Sequence, residues 1–234
     1  MLSPEGILRS VPFNGDPSRC RVVAVVGMGI VGVCTGYEVF RRAIESKQAT
    51  EIMFIEQCER HAVGSSGKAA GFLAYYRKSE GWAAQLNCLL KPSFALHRDL
   101  AKHFGEQNVD YRRIESTQDM VIGTGFRKQD VKRLPTFLTL PPKGYIKSGS
   151  FEDMAQVNPV RLMECMLREM LSYAEHHSGQ FGVRVACGRR LTRVTPYTPK
   201  EAAAISVSSG GSAASQQYNV TTVSTASFEA GLKP

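Results

Sequence analysis

The chain has 234 residues, of which 43% are hydrophobic and 21% are charged, and its formal net charge is +8 at pH 7. This length and composition are typical of a globular protein that buries a sizeable core. No apolar run reaches the ~18 residues of a membrane span, so no integral membrane segment is predicted. The basic residues are dispersed in pairs such as Arg41-Arg42, which favours a solvated surface over a nucleic-acid interface.

Six cysteines are scattered along the chain without a CxxC motif or a Cys/His spacing that suits a metal. Since no secretory hydrophobic segment is visible, the thiols are expected to be reduced and the location cytoplasmic. No metal site is predicted. Residues 1–19 are rich in proline and predict a flexible lead, whose acidic residues make a mitochondrial address the weaker alternative.

The first informative stretch, residues 22–40, reads VVAVVGMGIVGVCTGYEVF. Its opening VVAVV lacks polar alternation and predicts a strand buried on both faces of a parallel sheet. A helix is predicted over residues 30–46. Between the two, Gly27, Gly29 and Gly32 form the pattern GxGxxG, which is a weak signal alone but gains weight from this context.

This pattern suits the phosphates of a dinucleotide. Gly27 permits a tight turn, Gly29 lets a pyrophosphate approach the main chain, and Gly32 lets the helix lie close to the strand. The helix N-terminus adds free N–H groups and a partial positive charge.

A second strand is predicted over residues 51–56, and it ends in an acid. Glu56 lies 24 positions past Gly32, close to the ~20 expected for the carboxylate that binds a ribose hydroxyl. An acid at this place disfavours NADP. The alternative, in which Glu56 is a solvated residue at a strand end, stays open.

The segment GSSGKAAGFLA, residues 64–74, is the second informative piece. Its small residues allow a cofactor to pass close to the main chain, and Ser65 or Ser66 is a candidate cap for a short helix whose N-terminus faces phosphate. An ordinary flexible loop is the alternative.

The remaining elements are predicted from periodicity and turn residues. A core-facing helix over residues 92–104 carries His97, which is interpreted as a structural histidine. Strands are predicted at 109–116, 118–123, 182–187, 190–197 and 218–223. A helix opening at Asn158-Pro159 and ending near Gly179 has a wide apolar face. That face consists of Leu162, Met163, Met166, Leu167, Met170, Leu171 and Ala174.

The residues quoted above carry a family resemblance. VVAVVGMGIVGVCTGYEVF, Glu56 and GSSGKAAGFLA resemble the N-terminal part of FAD-dependent oxidoreductases of the D-amino-acid oxidase and sarcosine/glycine oxidase superfamily. SSGKAAGFLA, Trp82 and SFALHRDLA are most similar to a fungal and protist group within it. The resemblance covers most of residues 21–195.

The resemblance implies an α/β fold, with a Rossmann-like FAD-binding domain and an incomplete α+β substrate domain. Residues 20–234 would form a C-terminally truncated oxidoreductase domain. Its FAD-binding part would comprise residues 20–108 and 155–225, and residues 109–154 would form the partial substrate part.

The resemblance also implies the cofactor contacts. Gly27, Gly29, Ile30 and Gly32 would hold the FAD pyrophosphate, and Glu56 the adenosine ribose. Four residues would line the path toward the ribityl chain and flavin, namely Ser65, Ser66, Gly67 and Lys68. Leu191 would contact adenine through its main chain.

The activity implied is oxidation of a small amine or amino acid by hydride transfer to flavin, while the substrate, the catalytic residues and the oligomeric state stay undetermined. Tyr111 and Arg112 are weak candidates for the substrate side of the flavin.

Gly36 departs from the alanine usual in the family, a loss in helix propensity of about 1 kcal/mol. The alternatives are a non-catalytic fragment or interaction module and an NAD-dependent dehydrogenase, against which residues 64–74 argue.

Overall fold

The computed structural model describes residues 9–75, 82–114, 117–118, 146–147, 152–196 and 218–224. Its helices, in chain order, are α1 (Ile30–Glu45), α2 (Ser65–Lys68), α3 (Trp82–Phe104) and α4 (Pro159–His176). Its strands are β1 (Arg21–Val26), β2 (Thr50–Ile55), β3 (Phe72–Ala74), β4 (Arg112–Arg113), β5 (Thr117–Gln118), β6 (Ile146–Lys147), β7 (Met154–Gln156), β8 (Phe181–Ala186), β9 (Arg189–Pro196) and β10 (Tyr218–Ser224). No described helix is long and apolar enough to cross a bilayer.

The described residues form two compact units, the first from those within 1–68 and 163–234 and the second from those within 69–162. In the first unit, β1, β2 and β8 form a parallel sheet in the order β1-β2-β8, which confirms the predicted α/β class. Val23, Ile52 and Val183 are aligned across the three strands. This division into two units assigns α3 to the second unit. The family resemblance instead implied that residues 20–108 belong to the FAD-binding part.

Two helices supply the core of the first unit. Phe40 of α1 packs edge-on against Tyr173 of α4 at 5.6 Å and against Phe181 of β8 at 5.7 Å between ring centroids. The apolar face predicted for α4 is confirmed, because all seven of its residues are at most 7% exposed. Each such large side chain contributes roughly 1.5–3 kcal/mol when fully buried.

One face of β1 departs from the prediction. VVAVV was expected to be buried on both faces, but Val22 is 56% and Val26 is 57% exposed, while Val25 is 8% exposed. The prediction is therefore wrong for one face. The physical reason is that burial on both faces needs a packed layer on each face of the sheet, and the described residues cover the face of Val25 but leave that of Val22 and Val26 exposed.

Residues that precede β1 in the chain form hydrogen bonds with β2 and β8. Val11 forms an antiparallel bridge with Val183, and its N–H donates to the Val183 carbonyl at 2.8 Å. The Phe13 N–H donates to the buried carboxylate of Glu51 at 2.9 Å, and Arg184 donates to the same oxygen at 2.8 Å. These contacts fasten residues 11–13 of the expected flexible lead to β2 and β8.

The second unit contains the antiparallel sheet β3-β7-β4 and the helix α3. Phe94 of α3 packs against Tyr75 at 5.2 Å between ring centroids, and the Arg113 guanidinium lies 4.8 Å from the Phe94 ring centre. These contacts explain why α3 clusters with the strands of this unit. His97 bonds through Nδ1 to the Ser93 carbonyl at 2.8 Å, in keeping with a structural role.

Several predicted boundaries are wrong. The helix predicted over residues 92–104 begins at Trp82 and contains Pro92 in its interior. The strand predicted over residues 109–116 is reduced to β4, because Asp110 adopts a left-handed conformation with φ +51° that interrupts an extended chain. Most of the strand predicted over residues 118–123 lies outside the described residues.

Candidate cofactor-binding site

A tight turn joins β1 to α1 at the carboxyl end of the parallel sheet. Gly27 has φ +91°, which favours glycine, and its N–H donates to the Ile55 carbonyl at 2.8 Å. A Cβ built on Gly32 would lie 1.9 Å from the Gly27 carbonyl oxygen, so only glycine allows the helix this close to the turn. A Cβ built on Gly27 would meet nothing within 4 Å, which leaves open space beside the main chain.

The first turn of α1 receives its cap from a distant segment. Gly29 is the N-cap residue and supplies no side-chain hydrogen bond. Instead, the Ile30 N–H donates to the hydroxyl oxygen of Ser66 at 2.9 Å. The expectation that Ser65 or Ser66 caps the short helix that follows is wrong for Ser66. It lies within α2 and caps α1, whose first N–H has no acceptor within its own helix.

Glu56 follows β2 and turns its carboxylate toward the glycine turn. Its Oε2 accepts a hydrogen bond from the Met28 N–H at 2.7 Å, and its Oε1 accepts one from the Cys58 N–H at 2.9 Å. A carboxylate offers about four acceptor positions, so both oxygens keep capacity for ligand hydroxyls. The half-buried Glu56 is thus a fixed acceptor beside the turn rather than a freely solvated strand end.

The loop between Glu56 and α2 closes against the same turn. The Ala62 N–H donates to the Met28 carbonyl at 3.1 Å. A Cβ built on Gly67 would lie 1.8 Å from the Ala62 carbonyl oxygen, so Gly67 allows α2 to fold onto this loop. Ser65 and Lys68 are exposed on α2.

Leu191 is half-buried on β9, opposite Thr222 of β10 in an antiparallel hairpin. The Arg189 N–H at the start of β9 donates to the Glu56 carbonyl at 2.9 Å, and this bond joins the hairpin to the end of β2. The structure therefore brings together Gly27, Gly29, Ile30, Gly32, Glu56 and Ser66 directly, and it connects Leu191 to them only through the hairpin.

Two cysteines lie beside Glu56, and burial together with the neighbouring carboxylates keeps their thiols protonated. Burial, helped by Glu56 and Glu59, raises the pKa of Cys187 to about 11. Burial and the neighbouring Glu56 also raise the pKa of Cys58. A thiolate nucleophile is therefore disfavoured at this edge of the sheet at neutral pH.

Sequence reasoning missed two residues of this site. Met28 was given no role in the sequence analysis, yet its N–H donates to Glu56 and its carbonyl accepts from Ala62. His61 was given no role because it lacks spaced partners for a metal, yet its side chain is only 10% exposed in the loop beside this site. For Met28 the available signal was its place between two glycines, where the main chain is exposed to ligand and neighbours.

The geometry fits an anionic dinucleotide. A parallel strand leads through a glycine turn into a helix N-terminus, and an acid stands at the end of the neighbouring strand. In open α/β sheets, ligands bind outside the carboxyl ends of the strands in this arrangement.

A family profile described as "DAO: FAD dependent oxidoreductase" matches residues 23–222. The chain belongs to this family of FAD-dependent oxidoreductases. The family's cofactor is FAD, and the parallel sheet of the first unit is its Rossmann-like FAD-binding fold. The matched range covers every residue that the sequence singled out as cofactor-binding.

Two further similarities were found. The chain is 37% identical over 108 residues to TDA3, a Saccharomyces cerevisiae protein described as an oxidoreductase, which covers 44% of this chain and 19% of the yeast protein. It is also similar to the crystal structure of iminodiacetate oxidase (IdaA) from Chelativorans sp. BNC1, with 16% identity and a TM-score of 0.39. That similarity covers 76% of this chain and 48% of the oxidase. The chain thus matches about a fifth of the yeast relative and about half of the oxidase.

The two weak candidates for the substrate side lie in the second unit. Tyr111 is 7% exposed, and burial raises the pKa of its hydroxyl, which has no hydrogen-bond partner among the described residues. Arg112 donates to the side-chain oxygen of Gln156 on the neighbouring strand β7. Tyr111 is therefore a buried side chain, and its hydroxyl is enclosed within the second unit.

Proposed function

We propose that this chain provides the FAD-binding part of an oxidoreductase that oxidises a small amine or amino acid by hydride transfer to flavin. The observation that carries the proposal is the hydrogen bond from the Met28 N–H to Glu56 at 2.7 Å, which sets a carboxylate beside an open glycine turn. The family assignment supports FAD as the dinucleotide. The oxidised amine rests on the resemblance seen in the sequence.

The glycine turn would hold the pyrophosphate. Gly27 has open space beside its main chain, and a Cβ on Gly29 would lie 3.0 Å from the Ser66 hydroxyl oxygen, so glycine at both positions would allow the closest approach of the phosphates. The N-terminus of α1 would supply a partial positive charge. The Ile30 N–H, which donates to Ser66 at 2.9 Å, would share its bond with a phosphate oxygen. Gly32 would act indirectly, since it allows α1 to approach the turn.

The neighbouring segments would hold the rest of the cofactor. Glu56 would accept hydrogen bonds from the adenosine ribose, and the main chain of Leu191 would contact adenine. Ser65, Ser66, Gly67 and Lys68 would follow the cofactor toward its flavin end. Lys68 is an exposed cation on α2, so it adds favourable charge for an anionic ligand without a buried ion pair.

The flavin, when bound, supplies the redox chemistry, because it accepts a hydride equivalent from the carbon beside an amine nitrogen. The protein contributes binding, orientation and the exclusion of water. No described residue is proposed as a catalytic base.

The proposal is tested by titrating the purified chain with FAD and following the quenching of flavin fluorescence. Glu56→Gln is expected to raise the dissociation constant about tenfold to a hundredfold, because hydrogen bonds to a charged acceptor contribute roughly 1.5–3 kcal/mol. Glu59→Gln is the matched control, since it removes the same charge from an exposed residue three positions along the chain. The control should stay within about twofold of the wild-type affinity.

The alternatives predict other results. A chain that binds no FAD would favour the non-catalytic fragment or interaction module, and protection by NADH would favour an NAD-dependent dehydrogenase. Equal affinities of the Glu56→Gln and Glu59→Gln variants would remove Glu56 from the ribose site.

A further inference from the structure

The ring of His61 is buried without a hydrogen bond. The side chain is 10% exposed, and neither ring nitrogen has a hydrogen-bond partner among the described residues. The nearest carboxylate oxygen is Oε1 of Glu164, 3.9 Å from Nε2, which is too long for a hydrogen bond. A buried polar group without a hydrogen-bond partner lowers the free energy of unfolding by about 1–3 kcal/mol, so the unpartnered ring calls for a physical explanation.

His61 lies where the cofactor loop meets α4. Its side chain points toward Glu164 of that helix, while the N–H of the next residue, Ala62, donates to the Met28 carbonyl at 3.1 Å. Met28 in turn donates to Glu56 at 2.7 Å. The ring is therefore connected to the glycine turn and the acid through two hydrogen bonds, one between main-chain groups and one from the Met28 N–H to the Glu56 carboxylate.

Three charged groups face the ring. Glu164 approaches from α4, where it also pairs with Arg168 at 3.4 Å, Arg60 precedes His61 in the loop, and Glu56 follows β2. Burial lowers the pKa of His61, and this effect outweighs the attraction of Glu164 for a protonated ring. At neutral pH the ring is consequently uncharged and packs as an apolar group would.

We propose that His61 is a positioning residue of the cofactor site, and that its protonation releases the loop from Met28 and weakens FAD binding. A charged ring in a buried position needs a hydrogen-bonded partner. Glu164 becomes that partner when the ring moves about 1 Å, since charge-assisted bonds span about 2.7–2.9 Å. The effect on FAD rests on the proposed function, whereas the release of the loop does not.

The release is measured on the chain without cofactor. Amide hydrogen exchange of Ala62, corrected for the intrinsic rate at each pH, is expected to lose at least tenfold of its protection between pH 7.5 and pH 5. His61→Phe keeps a planar ring that cannot be protonated, so its protection should not change with pH. His97→Phe is the matched control, because His97 already bonds to Ser93, and it should behave as the wild type does.

Glu164→Gln provides a second test that does not depend on the folding of the His61 variant. Loss of the carboxylate makes protonation of His61 harder, so the midpoint of the exchange change should move to lower pH. Protection of Ala62 that falls equally in wild type and His61→Phe, or a midpoint unchanged in Glu164→Gln, would overturn the proposal.

The expected effect on FAD binding is measured by FAD titrations at pH 8 and pH 5.5. The wild type is expected to bind about tenfold more weakly at the lower pH, and His61→Phe should bind with the same affinity at both. If the His61→Phe variant also binds FAD about tenfold more weakly at pH 5.5 than at pH 8, His61 has no role at the cofactor site. A wild type that binds no FAD at pH 8 would refute the proposed function alone, because the exchange measurement still decides whether His61 holds the loop.

Discussion

At the scale of single residues, Gly36 shows how a substitution that looks unfavourable in a helix is favoured by its surroundings. Helix propensity alone assigns this glycine a cost of about 1 kcal/mol relative to alanine. In the structure, however, a Cβ on Gly36 would lie 2.4 Å from Cζ of Phe54, whose side chain is fully buried. Gly36 therefore makes room for Phe54 between α1 and β2.

Gly36→Ala is accordingly expected to destabilise the protein, because overpacking costs about 1–3 kcal/mol and exceeds the gain in propensity. Urea denaturation of Gly36→Ala, Phe54→Leu and the double variant would measure this in a double-mutant cycle. The two substitutions should be less destabilising together than the sum of their separate effects. A stabilising effect of Gly36→Ala alone would show that propensity dominates.

His61 gives a pH dependence of stability whose sign follows from its lowered pKa. The unfolded chain takes up the proton near pH 6.5, whereas the folded chain does so only at lower pH. Stability is thus complete above about pH 6.5 and is lost as the pH falls toward the folded-state pKa. The free energy of unfolding of His61→Phe should show a smaller loss between pH 7 and pH 5 than that of the wild type. If the free energy of unfolding falls equally in the wild type and in His61→Phe between pH 7 and pH 5, groups other than His61 cause the sensitivity to acid.

At the scale of elements, α4 is the helix whose environment its own pattern described best. Its apolar residues recur every three or four positions, and they are the ones that the structure buries. α3 was harder to read, because Pro92 is typical of a first helical turn, yet the helix begins ten residues earlier. Local propensity is a weak guide where tertiary contacts such as that between Phe94 and Tyr75 hold a helix in place.

Leu167→Ala in α4 should lower the free energy of unfolding by about 2–5 kcal/mol, since it leaves a cavity at a fully buried position. The control is Val31→Ala in α1, where the side chain is 77% exposed, and it should change stability by about 0.5 kcal/mol or less. Chemical denaturation measures both. Similar effects of the two substitutions would contradict the assignment of α4 to the core.

At the scale of the whole molecule, the outer face of β1 is the feature that should govern self-association. Val22 and Val26 are both more than half exposed on the outermost strand of the described sheet. Exposed apolar patches promote association. Val22→Thr with Val26→Thr should reduce self-association in sedimentation velocity experiments and leave stability within about 1 kcal/mol. Unchanged association of this double variant would show that the face is not involved, and Val31→Thr on α1 serves as the exposed-valine control.

The sequence by itself determined the strand, the glycine turn, the helix and the acid in their order, and with them the FAD-binding family. These features are local, because glycine spacing and apolar periodicity act within one turn or one strand. Only the tertiary structure decided that Ser66 caps α1, that Glu56 binds the Met28 N–H, and that His61 lies against Glu164. Each of those contacts joins residues 28 to 103 positions apart, and no local pattern records which distant groups will meet when the chain folds.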